Sequence, residues 1–180
     1  MKCALLAALV LASASGAAAA TPDRLRPGLS STRDMTRFAV GRACLGVIVE
    51  GRSLEAAVGK SGFPWKPTPG AFALFGRTPN EVRIDARGQC YFRLKDGDGA
   101  ALRLEVLGAL ADAGYRTEPQ FDSGPDGRSG GKRYRQETHC ARSDAPGARP
   151  LMVLISSSPD RGVTPLQVSL WPDRDGKCPA

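Results

Sequence analysis

The chain has one histidine, His139, among 180 residues. A single imidazole cannot complete a Cys/His zinc cluster, and it leaves any serine nucleophile with one candidate base. No stretch approaches the roughly 20 consecutive apolar residues that span a bilayer as a helix. No two cysteines have the C-x-x-C spacing of a redox centre or a zinc ribbon. There is no internal repeat, which excludes a solenoid or propeller.

Sequence patterns that carry chemistry are also missing. A phosphate loop needs a first glycine five residues before the glycine of Gly-Lys-Ser/Thr. Gly59-Lys60-Ser61 has Leu54 at that place, and Gly131-Lys132 has Asp126 there and Arg133 after it. A calcium loop begun at Asp96 would put Ala100 and Leu107 where oxygen ligands belong. Ser156 follows an apolar run, as a nucleophile might, but Leu154 and Ser158 stand where the nucleophile elbow needs glycines. Acidic residues are scattered, so no carboxylate pair stands out. These failures leave no metal or cofactor expected and weigh against an enzyme.

What is present begins with MKCALLAALVLASASGAAAA. Lys2 is a short basic region, Cys3 to Ala12 is apolar, and Ala18-Ala19-Ala20 offers an A-x-A cleavage site before Thr21. That is the layout of a secretory signal peptide. Cleavage near Ala20/Thr21 would place the protein in the periplasm or outside the cell. The Ala, Arg and Gly usage fits a bacterial source. Residues 21–30 read as a flexible lead-in, and residues 31–180 as a single exported domain with no transmembrane segment. The formal net charge is +7, which favours anionic partners. Nucleic acid is not expected as a partner in that compartment.

Cys3 leaves with the signal. The four that remain, Cys44, Cys90, Cys140 and Cys178, suggest two disulfides in an oxidising compartment. Three pairings are possible. Cys44–Cys90 and Cys140–Cys178 are preferred, because the first ties the N-terminal helix to a sheet and the second clips down the tail PDRDGKCPA. Each would contribute roughly 3–4 kcal/mol by the chain-entropy model.

Ser31 and Asp34 open a helix expected over residues 33–49, with Met35, Phe38, Ala39, Leu45 and Val49 on one face. Ser53 caps a second, short helix ended by Gly62. The three prolines of residues 62–70 predict an irregular linker. AFALF is an apolar strand. EVRIDARGQCYFRLK is a hairpin turning at Arg87-Gly88, with Val82, Ile84, Cys90, Phe92 and Leu94 inward. Asp98 caps a helix over residues 99–113, closed by Gly114, with Leu102, Val106, Leu110 and Ala113 in a stripe. Residues 122–131 read as a loop. KRYRQETHCAR follows as a strand with Tyr134, Thr138 and Cys140 inward. LMVLIS is expected to be central and covered on both faces, and LQVSLW alternates with Leu166, Val168 and Leu170 inward. The sum is an α+β domain: a mostly antiparallel sheet of about five to six strands, two N-terminal helices and one inserted helix, stapled by disulfides.

If the apolar alternates point inward, the other phase is a basic surface. It collects Arg83, Tyr91, Arg93, Lys95, Arg133, Arg135 and His139, with Trp171, Glu137 and Asp85 beside them. The expected role is binding an acidic envelope protein or an anionic polymer, in an accessory module without catalysis. The alternative is a hydrolase whose site gathers dispersed residues around His139, with Glu137 or Asp85.

Overall fold

The computed structural model describes residues 31–59, 65–68, 71–74, 80–85, 87–160 and 162–179. The signal-peptide, lead-in and Gly62 readings lie outside those residues. Ser31 caps the first helix, α1 (Thr32–Phe38): its hydroxyl oxygen accepts from the Asp34 amide at 3.1 Å. The helix runs on through a π-helical segment, Ala39–Cys44, into α2 (Leu45–Ile48). Ser53 caps α3 (Leu54–Val58), and Asp98 caps α4 (Gly99–Asp112) through the amides of Ala100 and Ala101.

The π-helical segment corrects one expectation. Its i→i+5 hydrogen bonds carry more residues per turn than an α-helix. By the end of α2 the phase has therefore drifted from the face set by α-helical spacing. Met35, Phe38, Ala39 and Leu45 are buried as expected, but Val49 is 48% exposed.

Among the described residues there are ten strands: β1 (Trp65–Thr68), β2 (Ala71–Leu74), β3 (Asn80–Ile84), β4 (Cys90–Leu94), β5 (Tyr115–Asp122), β6 (Arg128–Ser129), β7 (Lys132–Arg133), β8 (Arg135–Ser143), β9 (Leu151–Ser157) and β10 (Leu166–Pro172). Eight form one sheet in the order β1-β2-β3-β4-β10-β9-β8-β5, and β6 with β7 makes a small separate hairpin. Every pairing is antiparallel. The α+β reading stands, with more strands than anticipated.

Both added outer strands contain proline. Pro67 sits in β1 and Pro119 in β5, the two edges of the sheet. An edge strand leaves one side of its backbone unpaired, so a missing N–H is tolerated there. The register of β5 also shifts between Pro119 and Phe121, which is a bulge of the kind proline accepts.

The helices contribute Phe38, Val40, Ala43, Val58, Val106 and Leu110 to one core with Val82, Phe92, Leu94, Val153, Ile155, Leu166, Val168 and Leu170 of the sheet. α4 buries Ala109 where Ala113 was expected, and Ala113 is exposed. Gly99 sits tight against the backbone of Ser158 and Pro165, which border β9 and β10. A Cβ there would lie 2.6 Å from the Ser158 carbonyl oxygen, so no larger residue fits. Both anticipated disulfides are formed, Cys44–Cys90 and Cys140–Cys178. Such bridges belong to an oxidising environment. No helix among the described residues is long and apolar enough to cross a membrane.

Candidate functional site

The sheet's two faces differ, and register decides what each carries. On the face away from the helices, two rows cross five strands. Arg83, Tyr91, Ser169, Leu154 and Thr138 form one; Glu81, Arg93, Gln167, Ser156 and Gln136 form the other. The Arg83 guanidinium stands 4.3 Å over the Tyr91 ring. Arg93 Nη2 donates to Glu81 Oε2 at 2.7 Å. Lys95 continues the phase of Arg93 and enters no ion pair among the described residues, while its amide donates to Asn80. Burial pushes the Tyr91 phenol up, against the opposing charges of Arg93 and Arg83. This is a polar, mildly cationic surface with one stacked aromatic.

At one margin that face is covered. Cys140, Met152 and Cys178 make a second small core, with Trp171 packed on it. The C-terminal tail lies there, held by the Cys140–Cys178 bridge. β9 is therefore sealed on both faces only at Met152; Leu154 and Ser156 are half-buried, which corrects the fully covered reading of LMVLIS.

The expected binding set is split between faces. Arg83, Tyr91, Arg93 and Lys95 share the open one. Arg133 lies on the β6–β7 hairpin, where its amide and Nε donate to the Asp160 carboxylate, both at 2.9 Å. Arg135 and His139 turn toward α4, as do Glu137 and Ala141. Asp85 is remote, accepting from the Arg87 and Gln89 amides of the β3–β4 turn.

The reversed phase of β8 has a specific cause. Glu137 is buried, and Arg103 of α4 reaches it with two hydrogen bonds, one of them from Nη2 to Oε1 at 2.6 Å. Arg135 Nη2 lies 3.5 Å from the same oxygen and also bonds Asp122 at 2.6 Å. A buried carboxylate persists only when paired in this way. Alternation of apolar residues cannot locate it, because the inward residues here are charged and the outward Cys140 is buried by the tail. The pairing of Arg103 with Glu137, from helix to strand, had no signal in the sequence.

His139 is 4% exposed. Its Nε2 lies 3.6 Å from Glu137 Oε1, and neither ring nitrogen has a hydrogen-bond partner among the described residues. Burial holds its pKa below the usual imidazole value; the Glu137 charge opposes this and the Arg103 charge reinforces it. The structure thus joins His139 to Glu137 but not to Asp85. A general base needs to reach a substrate proton, and this pair is enclosed between sheet and helix. No group of three or more metal-ligating side chains occurs among the described residues.

Comparison with protein families, with curated proteins and with solved structures finds no match for this chain.

Proposed function

We propose that the chain is an exported binding module without catalysis, which docks an acidic protein partner on the open face of its sheet. In this reading residues 1–20 are a signal peptide cut near Ala20/Thr21, residues 31–180 act as one domain, and the site of action is a bacterial envelope or its surroundings. The observation that supports it is the one-sided sheet. Five adjacent strands present two rows that are polar apart from Leu154, with Arg83 stacked on Tyr91 and with Lys95 in no ion pair among the described residues. Tyr and Arg are enriched in protein interfaces, and the net charge, +7 for the whole chain and +6 once Lys2 leaves with the signal peptide, favours acidic surfaces. A face that spans five strands offers the area of a protein interface.

The test is capture from envelope extract by wild type and by Arg83→Glu/Lys95→Glu. An identified acidic protein should be retained by wild type alone and should elute as salt rises from about 0.05 to about 0.5 M. Equal capture by both baits overturns the proposal, as does an eluate of anionic polymer. Turnover of an ester, peptide or cell-wall substrate that disappears in His139→Ala would overturn the non-catalytic reading.

A further inference from the structure

A different part of the molecule carries cations that enter no ion pair among the described residues. At the end of the sheet remote from Gly99, β8 and β10 finish and β9 begins. A cavity of about 350 Å³ opens there. Ile48, Val49, Leu151 and Pro172 give it apolar walls, and Arg149 and Arg174 line the same space. Volumes of this size hold small ligands.

Three observations mark it as a site. Arg37, Arg93, Arg103, Arg116, Arg133 and Arg135 all enter ion pairs. Arg149 and Arg174, both exposed, enter none among the described residues, as is true also of exposed Arg42, Arg83, Arg87 and Arg128, but these two line one cavity together. An adjoining hollow of about 410 Å³ shares Ala148 with the first and is lined by Arg142, whose Nε is buried without an acceptor among the described residues. A buried unmatched donor calls for an acceptor. Nearby acids are engaged elsewhere: Asp144 holds Arg116, and Asp173 accepts from the Lys177 and Cys178 amides. Those backbone bonds, Cys178's first, hold the Asp173 carboxyl below the usual range.

The walls are fixed in place. The Asp173 amide donates to the Pro150 carbonyl at 2.8 Å, joining the segments that bear Arg149 and Arg174. Cys178 then ties the second segment to β8 through Cys140. On the other side, Cys44 immediately precedes α2 and is bridged to Cys90 of β4. Each disulfide therefore anchors one wall. Such preorganisation lowers the entropy lost on binding.

We propose that this cavity binds a small amphiphilic anion: a phosphate or carboxylate between Arg149 and Arg174, with a short apolar body against Ile48, Val49 and Pro172. Guanidinium groups match both anions through paired hydrogen bonds. Val49, lifted out of the helix core by the π-helical segment, supplies exposed apolar surface at the rim. This site does not depend on the open face, and none of its residues belongs to that face's two rows.

The experiment is calorimetric titration of the full oxidised chain with octyl phosphate, octanoate, inorganic phosphate and octanol. Octyl phosphate or octanoate should bind at least about tenfold more tightly than either inorganic phosphate or octanol, a difference of about 1.4 kcal/mol. The more tightly bound of the two identifies the head group. Arg149→Ala/Arg174→Ala and, separately, Val49→Asp should each weaken it at least about tenfold, whereas Arg83→Glu/Lys95→Glu should leave it unchanged. Apart from half-buried Lys95, the variants alter exposed positions, and retained melting temperatures would confirm their folding. Absence of binding at millimolar ligand, equal affinity for octyl phosphate and inorganic phosphate, or indifference to the arginine pair would overturn the proposal.

Discussion

Arg103→Met isolates the contact that sets the phase of β8. The substitution keeps the length and apolar stem of the side chain and removes two hydrogen bonds to Glu137. Glu137 is left 2% exposed, with Arg135 at 3.5 Å and a neutral His139 at 3.6 Å. Breaking a buried pair from one side costs about 3–5 kcal/mol. The low end applies, because Arg135 still faces the carboxylate and the Arg103 side chain was 16% exposed. We expect a loss of about 3 kcal/mol, seen in urea as a midpoint lowered by more than about 1 M with an unchanged slope. Arg103→Met/Glu137→Leu removes the stranded charge, so it should return to within about 1 kcal/mol of wild type. A second readout comes from His139. Loss of the Arg103 charge should raise the imidazole pKa, followed by NMR titration, since that charge helps to hold it down. A single variant within about 0.5 kcal/mol of wild type, or a double variant no better than the single, would refute this account of β8.

Stability should fall as pH drops through the histidine range. The folded pKa of His139 lies below its ordinary 6.5, so the unfolded chain takes up this proton first. The contribution is complete above 6.5 and is lost on acidification below it. Urea midpoints should be lower at about pH 5.5 than at about pH 7.5 in wild type and equal in His139→Gln, since carboxylates titrate further down. Gly99→Ala forces a Cβ against the Ser158 carbonyl. It should cost at least about 2 kcal/mol, measured by thermal melting; a loss under about 0.5 kcal/mol would mean that α4 is free to shift. Cys140→Ala/Cys178→Ala opens a loop of 38 residues. It should lower stability by about 3–4 kcal/mol and expose the tail beyond Asp173 to limited proteolysis, with a protease-resistant tail speaking against its role as a clip.

Sequence periodicity located what obeys periodicity. The β3–β4 hairpin, α4 with its Asp98 cap, and the alternation of β10 follow from local residues, and loop closure suggested the correct cysteine pairs. The misses share a cause, which is that tertiary contacts overrode local pattern. Proline at 67 and 119 hid two edge strands that the sheet accepts because their outer sides are unpaired. The π-helical segment turned Val49 outward. Above all, charged residues at 135, 137 and 139 face the helix layer because Arg103 meets them there. Of the candidate surface, Arg83, Tyr91, Arg93 and Lys95 lie on one face of the sheet. The arginine cavity was invisible, since residues 48, 149 and 174 converge only through the fold and its disulfides.

The central claim is that the open sheet face recognises acidic surfaces. Amide-shift mapping of the ¹⁵N-labelled oxidised chain with the acidic protein recovered by capture tests it most directly. The account predicts shifts along β3, β4 and β10, centred on Arg83, Tyr91, Arg93 and Lys95 and fading as salt is added. Shifts absent from these strands, or spread evenly over every exposed arginine, would contradict it.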